Sequence, residues 1–308
     1  MSISDLFTSE YTWIYFTLLA ATMQAIRTAG QKQLSGKLNS MATTAVRYVY
    51  ALPFAWAYVW WMLDFREVSV PTLNNDFLFY ALIACVSQII GTACLVAAFR
   101  YKNFAVATSL AKTEAIQVAM VGALLFAAPL SLMGWFSVIV GVIGVLFVSK
   151  VKFRPRDFLT GSDAKMGLFY GLSAGLGLAI TTLLIRESSL ALNIDLLVSA
   201  AITLVFMITV QSIISVIYVY LQDKTQLKLM LAHWRLCLFV GITSVLGSIG
   251  WFTGASLQNA AYVKALGQVE FFITLALTYR LFKEKITTIE YIGMLLIIVS
   301  VVILLLWA

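Results

Sequence analysis

Uninterrupted apolar runs about twenty residues long recur along the whole chain, and their length decides the solvent in which it folds. A helix needs about 20 apolar residues to cross the hydrocarbon core of a bilayer, since each residue advances it by about 1.5 Å. Ten such runs can be traced, near 11–33, 41–63, 77–99, 104–126, 131–149, 165–186, 195–221, 235–257, 262–282 and 286–307. A membrane β-barrel would alternate apolar and polar positions in segments of roughly ten residues. Continuous runs instead read as helices, because lipid offers the backbone no hydrogen bonds. Composition agrees: 61% of residues are hydrophobic and 11% charged, against about 25% charged in soluble domains. The expectation is an all-α integral membrane protein with ten transmembrane helices, short loops and no soluble domain.

The same reading excludes several classes of function. The formal charge of +7 sits mostly between the apolar runs. There it acts as a topology signal and does not point to nucleic acid. Asp5 and Glu10 precede the first run without a basic region, so that run reads as a retained span and not a cleaved signal. Cys85, Cys94 and Cys237 fall inside spans with neither CxxC nor paired Cys/His spacing, and read as small packing residues, with no disulfide or metal. His233 is the single histidine, at a loop–helix border. There is no HExxH, no Walker GK[ST], and no Ser/His or paired-aspartate arrangement within the spans. An enzyme, a cofactor and ATP-driven transport within this chain are therefore not expected.

Sliding the chain along itself by 156 residues aligns 98–149 with 254–305 without a gap. Asn103 falls on Asn259, Ala105 on Ala261, Glu114 on Glu270 and Phe126 on Phe282; one span earlier, Gly91 falls on Gly247 and Thr92 on Ser248. The chain divides into repeats 1–152 and 153–308 of five spans each, and an odd span count inverts one repeat relative to the other. The cations swap accordingly. "AAPL" after span 4 has none, whereas its counterpart after span 9 carries Arg280, Lys283 and Lys285; Arg100 and Lys102 before span 4 become Ser256 and Gln258. Cations are retained on the cytoplasmic side. Loops after odd spans hold most of them, including "KVKFRPR" at 150–156, and loops after even spans hold little beyond Arg66 and Arg186. The odd loops are expected in the cytoplasm and both termini outside.

Two five-span halves, "RYKNFAVATSLAKTEAIQ" at 100–117, "GSIGWF…NAAYVKALGQVEFF" at 247–272 and "LFKEKITTIEYIGMLLIIVSVVILLL" at 281–306 resemble the EamA-type families of the drug/metabolite transporter superfamily over essentially the whole chain. The resemblance implies ten helices in two inverted halves around a central cavity, transporting small metabolites across the cell membrane, the bacterial cytoplasmic membrane being the expected one. Two features depart from it. Ala127-Ala128 stand where the second half has Lys283-Glu284, and family members are often drawn with both termini cytoplasmic, opposite to the charge count.

Glu114 and Glu270 stand in the middle of apolar runs, where an ionised side chain costs on the order of 2.5–3.5 kcal/mol. Such groups face a bundle interior or a watery cavity, and transporter sites lie near the midplane. Either each glutamate neutralises a structural partner such as Lys112, Arg47 or Lys264, or the two bind substrate, proton or cation. Lys112 is two residues from Glu114, on the opposite helix face, while Gln117 shares its face. Gln24, Arg27 and Gln31 form one polar stripe in span 1, with Arg27 either lining a cavity or snorkelling to the interface. Arg47 in span 2 reads the same way. Gln88 in span 3 and Trp251 in span 8 are cavity candidates by size and polarity, and Gln268 neighbours Glu270. Arg27 and Lys112 would meet an anionic group. "GLSAG" at 171–175 reads as close helix packing. The expected partners are a small-molecule substrate, a coupling proton or cation, and membrane lipids; monomer and homodimer both stay open. A channel or a non-transporting scaffold is the alternative to a secondary transporter.

Overall fold

A computed structural model of the chain describes residues 11–98, 113–148, 162–274, 276 and 287–307. Among these residues every regular element is a helix: α1 Thr12–Leu34, α2 Ser40–Val49, α3 Leu52–Phe65, α4 Asn75–Ala98, α5 Glu114–Leu125, α6 Leu132–Val148, α7 Ser162–Ala191, α8 Leu196–Gln222, α9 Thr225–Ala232, α10 Trp234–Leu257, α11 Ala260–Gly267 and α12 Thr288–Trp307. Among the described residues, five stretches are long and apolar enough to cross a membrane: Asn75–Leu95, Phe169–Ala191, Leu196–Gln222, Trp234–Leu257 and Thr288–Trp307. Large apolar side chains stand exposed along α4 (Leu82, Val86, Ile90) and α12 (Leu295, Ile298, Val302), the surface that lipid would cover.

Most expected spans coincide with a helix where the residues are described; spans 4 and 9 run partly outside the described residues, span 9 is interrupted after Gly267, and three further details differ. Span 2 is built in two pieces, α2 and α3, with Pro53 in the first turn of the second. Proline has no N–H and its ring crowds the carbonyl one turn back, so the helix interrupts at Tyr50–Ala51. α7 runs on to Ala191, which places Arg186 inside a helix and not in a loop. α9, not foreseen, fills the connection between α8 and α10.

The chain forms two compact units, Met1–Cys85 with Leu184–Leu257, and Val86–Leu183 with Gln258–Ala308. Each draws helices from both sequence repeats. In the first unit α10 packs along α1, and α8 packs against α2, α3 and α10. In the second, α12 packs along α6, and α11 against α5, α6 and α12. Buried Glu290, Gly293, Ile297, Ser300 and Leu304 make one stripe of α12 at three- and four-residue spacing. Its start carries one half of a capping box: the Thr287 backbone N–H and hydroxyl both donate to Glu290 Oε2, at 2.6 and 2.7 Å.

The internal repeat reappears as repeated contacts. An ideal Cβ on Gly91 would meet Leu178 N, Ala174 O and Gly177, all within 3.2 Å; one on Gly247 faces Gln24 N, Ala20 O and Met23. The same contact is built once in each unit, between residues at matching places in the two repeats. The close approach in α7 centres on Ala174 and Gly177, a little beyond where the GxxxG spacing pointed. Between α6 and α12 the repeat is reciprocal. Ser137 bonds to Ser300 and Gly144 abuts Gly293; the 156-residue offset converts the first pair into the second. Such i-to-j and j-to-i matching marks an isologous, two-fold contact. The partners pair in reversed order, so α6 and α12 are antiparallel and the local axis lies across them.

Candidate functional site

In the second unit, α5 opens at Glu114 with Thr113 as its N-cap. Lys264, in the last turn of α11, places Nζ 2.8 Å from Glu114 Oε1. The two side chains are 18% and 20% exposed, so the pair is sheltered yet within reach of a solute. Both charges complement backbone dipoles: a carboxylate at a helix N-terminus and an ammonium at a C-terminus. Gln117, one turn along α5, donates from Nε2 to Thr113 Oγ1 at 3.0 Å. Its Oε1 is sealed off without a hydrogen-bond partner among the described residues.

α11 starts on Asn259, whose side chain accepts from the Ala261 N–H at 2.9 Å. That capping role accounts for one residue of the repeat alignment. After Gly267 the ladder tightens into three-residue turns. Gln268 N donates to Ala265 O, Val269 N to Leu266 O, Phe271 N to Gln268 O and Phe272 N to Val269 O, at 3.0–3.2 Å. Helix resumes at Glu270. Glu114 and Glu270, equivalent in the repeat, therefore both open a helical stretch, where unpaired N–H groups favour an anion. A mid-helix run of such turns often marks a hinge.

Gln268 lies one turn from Lys264 on the same face. It is 6% exposed, and neither atom of its carboxamide has a hydrogen-bond partner among the described residues. It rests over Gly141, beside Ser300: an ideal Cβ on Gly141 would come within 3.1 Å of its Cδ and 2.6 Å of Ser300 Oγ. A glycine is required there to admit the amide. A buried polar group left unpaired costs about 1–3 kcal/mol, so this is a place where the packing leaves hydrogen-bonding capacity unused.

The first unit carries a second polar contact. Trp251 Nε1 in α10 donates to Gln24 Oε1 in α1 at 2.9 Å, joining two residues nominated by the sequence. Arg27, one turn along α1, is buried at 8% exposure. Arg47 is partly buried, its guanidinium 5.2 Å from the Tyr48 ring centroid. Gln88 belongs to the second unit and is partly buried in α4, its carbonyl accepting from Thr92 Oγ1 at 2.8 Å. Lys112 lies outside the described residues. Sequence reasoning named Lys264 only as one of three possible partners and passed over Arg186. The latter donates from α7 to the Ala255 and Ser256 carbonyls at 2.9 and 3.2 Å, closing the C-terminal end of α10. An arginine inside a span was the available signal.

The family model for EamA-like transporters matches residues 11–150 and again 165–306. The chain belongs to the EamA-like transporter family. The double match falls on the two repeats, and members of this family are transporters and not enzymes. This EamA-like chain is thus a multi-pass membrane protein of the drug/metabolite transporter type. A solved structure described only as a crystal structure of a protein matches it with a TM-score of 0.76, covering 97% of this chain and 99% of that one at 12% identity. That likeness shows the fold alone. No curated protein matches the chain.

Proposed function

We propose that this EamA-like protein is a secondary transporter that moves a small metabolite (an amino acid, amine or drug-like solute) across the bacterial cytoplasmic membrane by alternating access. Its ten spans form two inverted halves, with the loops after odd spans in the cytoplasm. Glu114 and Glu270 bind substrate, proton or cation. Gln268 and Gln117 supply hydrogen bonds, and Gln24, Trp251 and Arg27 form a second polar patch. Arg47 and Gln88, both partly buried, are further candidates. The observation that carries this reading is the sheltered Glu114–Lys264 pair at 2.8 Å, one turn from the Gln268 carboxamide, which has no hydrogen-bond partner among the described residues. A charged pair next to unused donors and acceptors is the arrangement a polar solute could complete. The same contact also suits a second reading, in which Lys264 neutralises Glu114 for structural reasons only.

Counterflow in proteoliposomes separates the two. Radiolabelled amino acids, amines and drugs are offered against unlabelled internal solute, with and without a pH gradient. A saturable counterflow lost in Glu270→Gln and Glu114→Gln proteins that still fold is the expected result. Normal counterflow in both variants would leave the glutamates structural, and its absence from the parent protein would favour a channel or scaffold. Reporter fusions at Arg154 should score cytoplasmic and fusions after Ala308 external.

A further inference from the structure

We propose that Lys264 is a tethered competitor of the cargo. Its ammonium occupies Glu114 when the carrier is empty and is displaced by a cationic group of the cargo. This rests on the reading of Glu114 as a binding group. The cargo class that follows is a solute bearing an ammonium or similar cation.

Four observations lead here. The 2.8 Å separation makes the contact an ion pair, so the carboxylate has a cation beside it in the empty protein. The occupant is a lysine, a point charge on a flexible four-carbon stem that withdraws more readily than a bidentate arginine. Withdrawal has a destination: Gln268 Oε1, one turn along the same helix face, is buried without a hydrogen bond among the described residues and can accept from the displaced ammonium. Finally, the repeat supplies the carboxylate twice and this cation once. Thr108 stands at the first-half position equivalent to Lys264, while Glu114 and Glu270 match. The carboxylate is thus repeated in the sequence and the lysine is not.

The kinetic consequence is specific. An empty carrier must reorient with its carboxylate covered, because a bare charge in mid-membrane is strongly disfavoured. Lys264 provides that cover, so net flux needs the lysine. Exchange, in which the carrier moves only when loaded, does not.

The test compares net flux with exchange in proteoliposomes, using as tracer the radiolabelled solute that gives parental counterflow. In Lys264→Gln, exchange should stay within about threefold of the parent while net flux falls roughly a hundredfold, the scale of an unpaired charge in the membrane. Adding millimolar propylammonium, which can sit on Glu114 in place of the lysine, should restore part of the net flux; n-butanol should not. Net flux and exchange falling together, or both persisting, would overturn the proposal while leaving the transporter reading intact. A parental tracer with no cationic group overturns the cargo class. Absence of parental counterflow defeats the underlying reading instead. Should Lys264→Gln fail to fold, Lys264→Arg decides: its stronger grip on Glu114 must raise KM for the tracer while the ratio of net flux to exchange holds. An unchanged KM sinks the idea.

Discussion

Replacing Gly144 by alanine tests the α6–α12 contact at its tightest point. An ideal Cβ on Gly144 lies 2.7 Å from Gly293 O and 3.0 Å from Ile297 N. From the other side, a Cβ on Gly293 lies 2.6 Å from Gly144 O and 2.8 Å from Val148 N. Optimal heavy-atom separations are about 3.5 Å, and the obstructing atoms are backbone, so no rotamer change relieves the clash. The helices must part by about 0.8 Å. Ser137 Oγ donates to Ser300 O at 2.9 Å and Ser300 Oγ to Ser137 O at 2.8 Å, both fully buried. A parting of that size stretches them to about 3.6–3.7 Å, beyond a working hydrogen bond. Two lost hydroxyl bonds at about 1 kcal/mol each, with overpacking strain of about 1–3 kcal/mol, place the loss at about 3–5 kcal/mol. Unfolding in mixed detergent–SDS micelles measures it. Because the contact is reciprocal, Gly293→Ala should cost about the same. The double variant should cost less than the sum, since one parting serves both methyl groups. Gly36→Ala, whose Cβ would meet only Gln33 O at 3.6 Å, is the control and should be near neutral. A Gly144→Ala protein as stable as that control would refute the close antiparallel contact and the two-fold argument built on it.

The remaining predictions concern charge. Glu114→Gln strands the Lys264 ammonium and should destabilise by about 1–3 kcal/mol, below the 3–5 kcal/mol of a fully buried pair because both side chains keep some exposure. Glu114→Leu with Lys264→Met should recover most of that loss in the same unfolding assay, and full additivity would mean the pair does not interact. Asp223, between α8 and α9, is held below the usual carboxylate range by hydrogen bonds from the Thr225 hydroxyl, the Gln226 amide and the Thr225 N–H. A depressed pKa contributes stability that is present above the ordinary aspartate range and lost as pH falls through the lowered value. Thermal unfolding should therefore show an acid-side loss that Asp223→Asn flattens; an identical pH profile in the variant would count against these bonds.

How much could be read in advance differs by feature. Long apolar runs announced helices within a few residues, because span length depends only on the bilayer and the helical rise. Thr287-x-x-Glu290 carries the spacing of a helix-start motif that is local in geometry, though it went unread. The break at Pro53 was legible for the same reason, though it went unread. Arg186 was misplaced in a loop because a charge near a span end reads as a boundary; its α7 position is stabilised by carbonyls of α10, about seventy residues away.

The sequence by itself determined the helical class, the membrane, the two-repeat division and the equivalence of Glu114 with Glu270. These depend on composition, run length and self-similarity, which are properties of the string. Tertiary structure alone decided that each compact unit takes helices from both repeats. It also decided that Glu114 meets Lys264, that Trp251 meets Gln24, and that the Gln268 carboxamide lies over Gly141. Apolar periodicity tells which residues leave water. It does not tell which helix face turns toward which neighbour, because lipid and protein interior are equally apolar and only the fit of small residues at close contacts separates the alternatives.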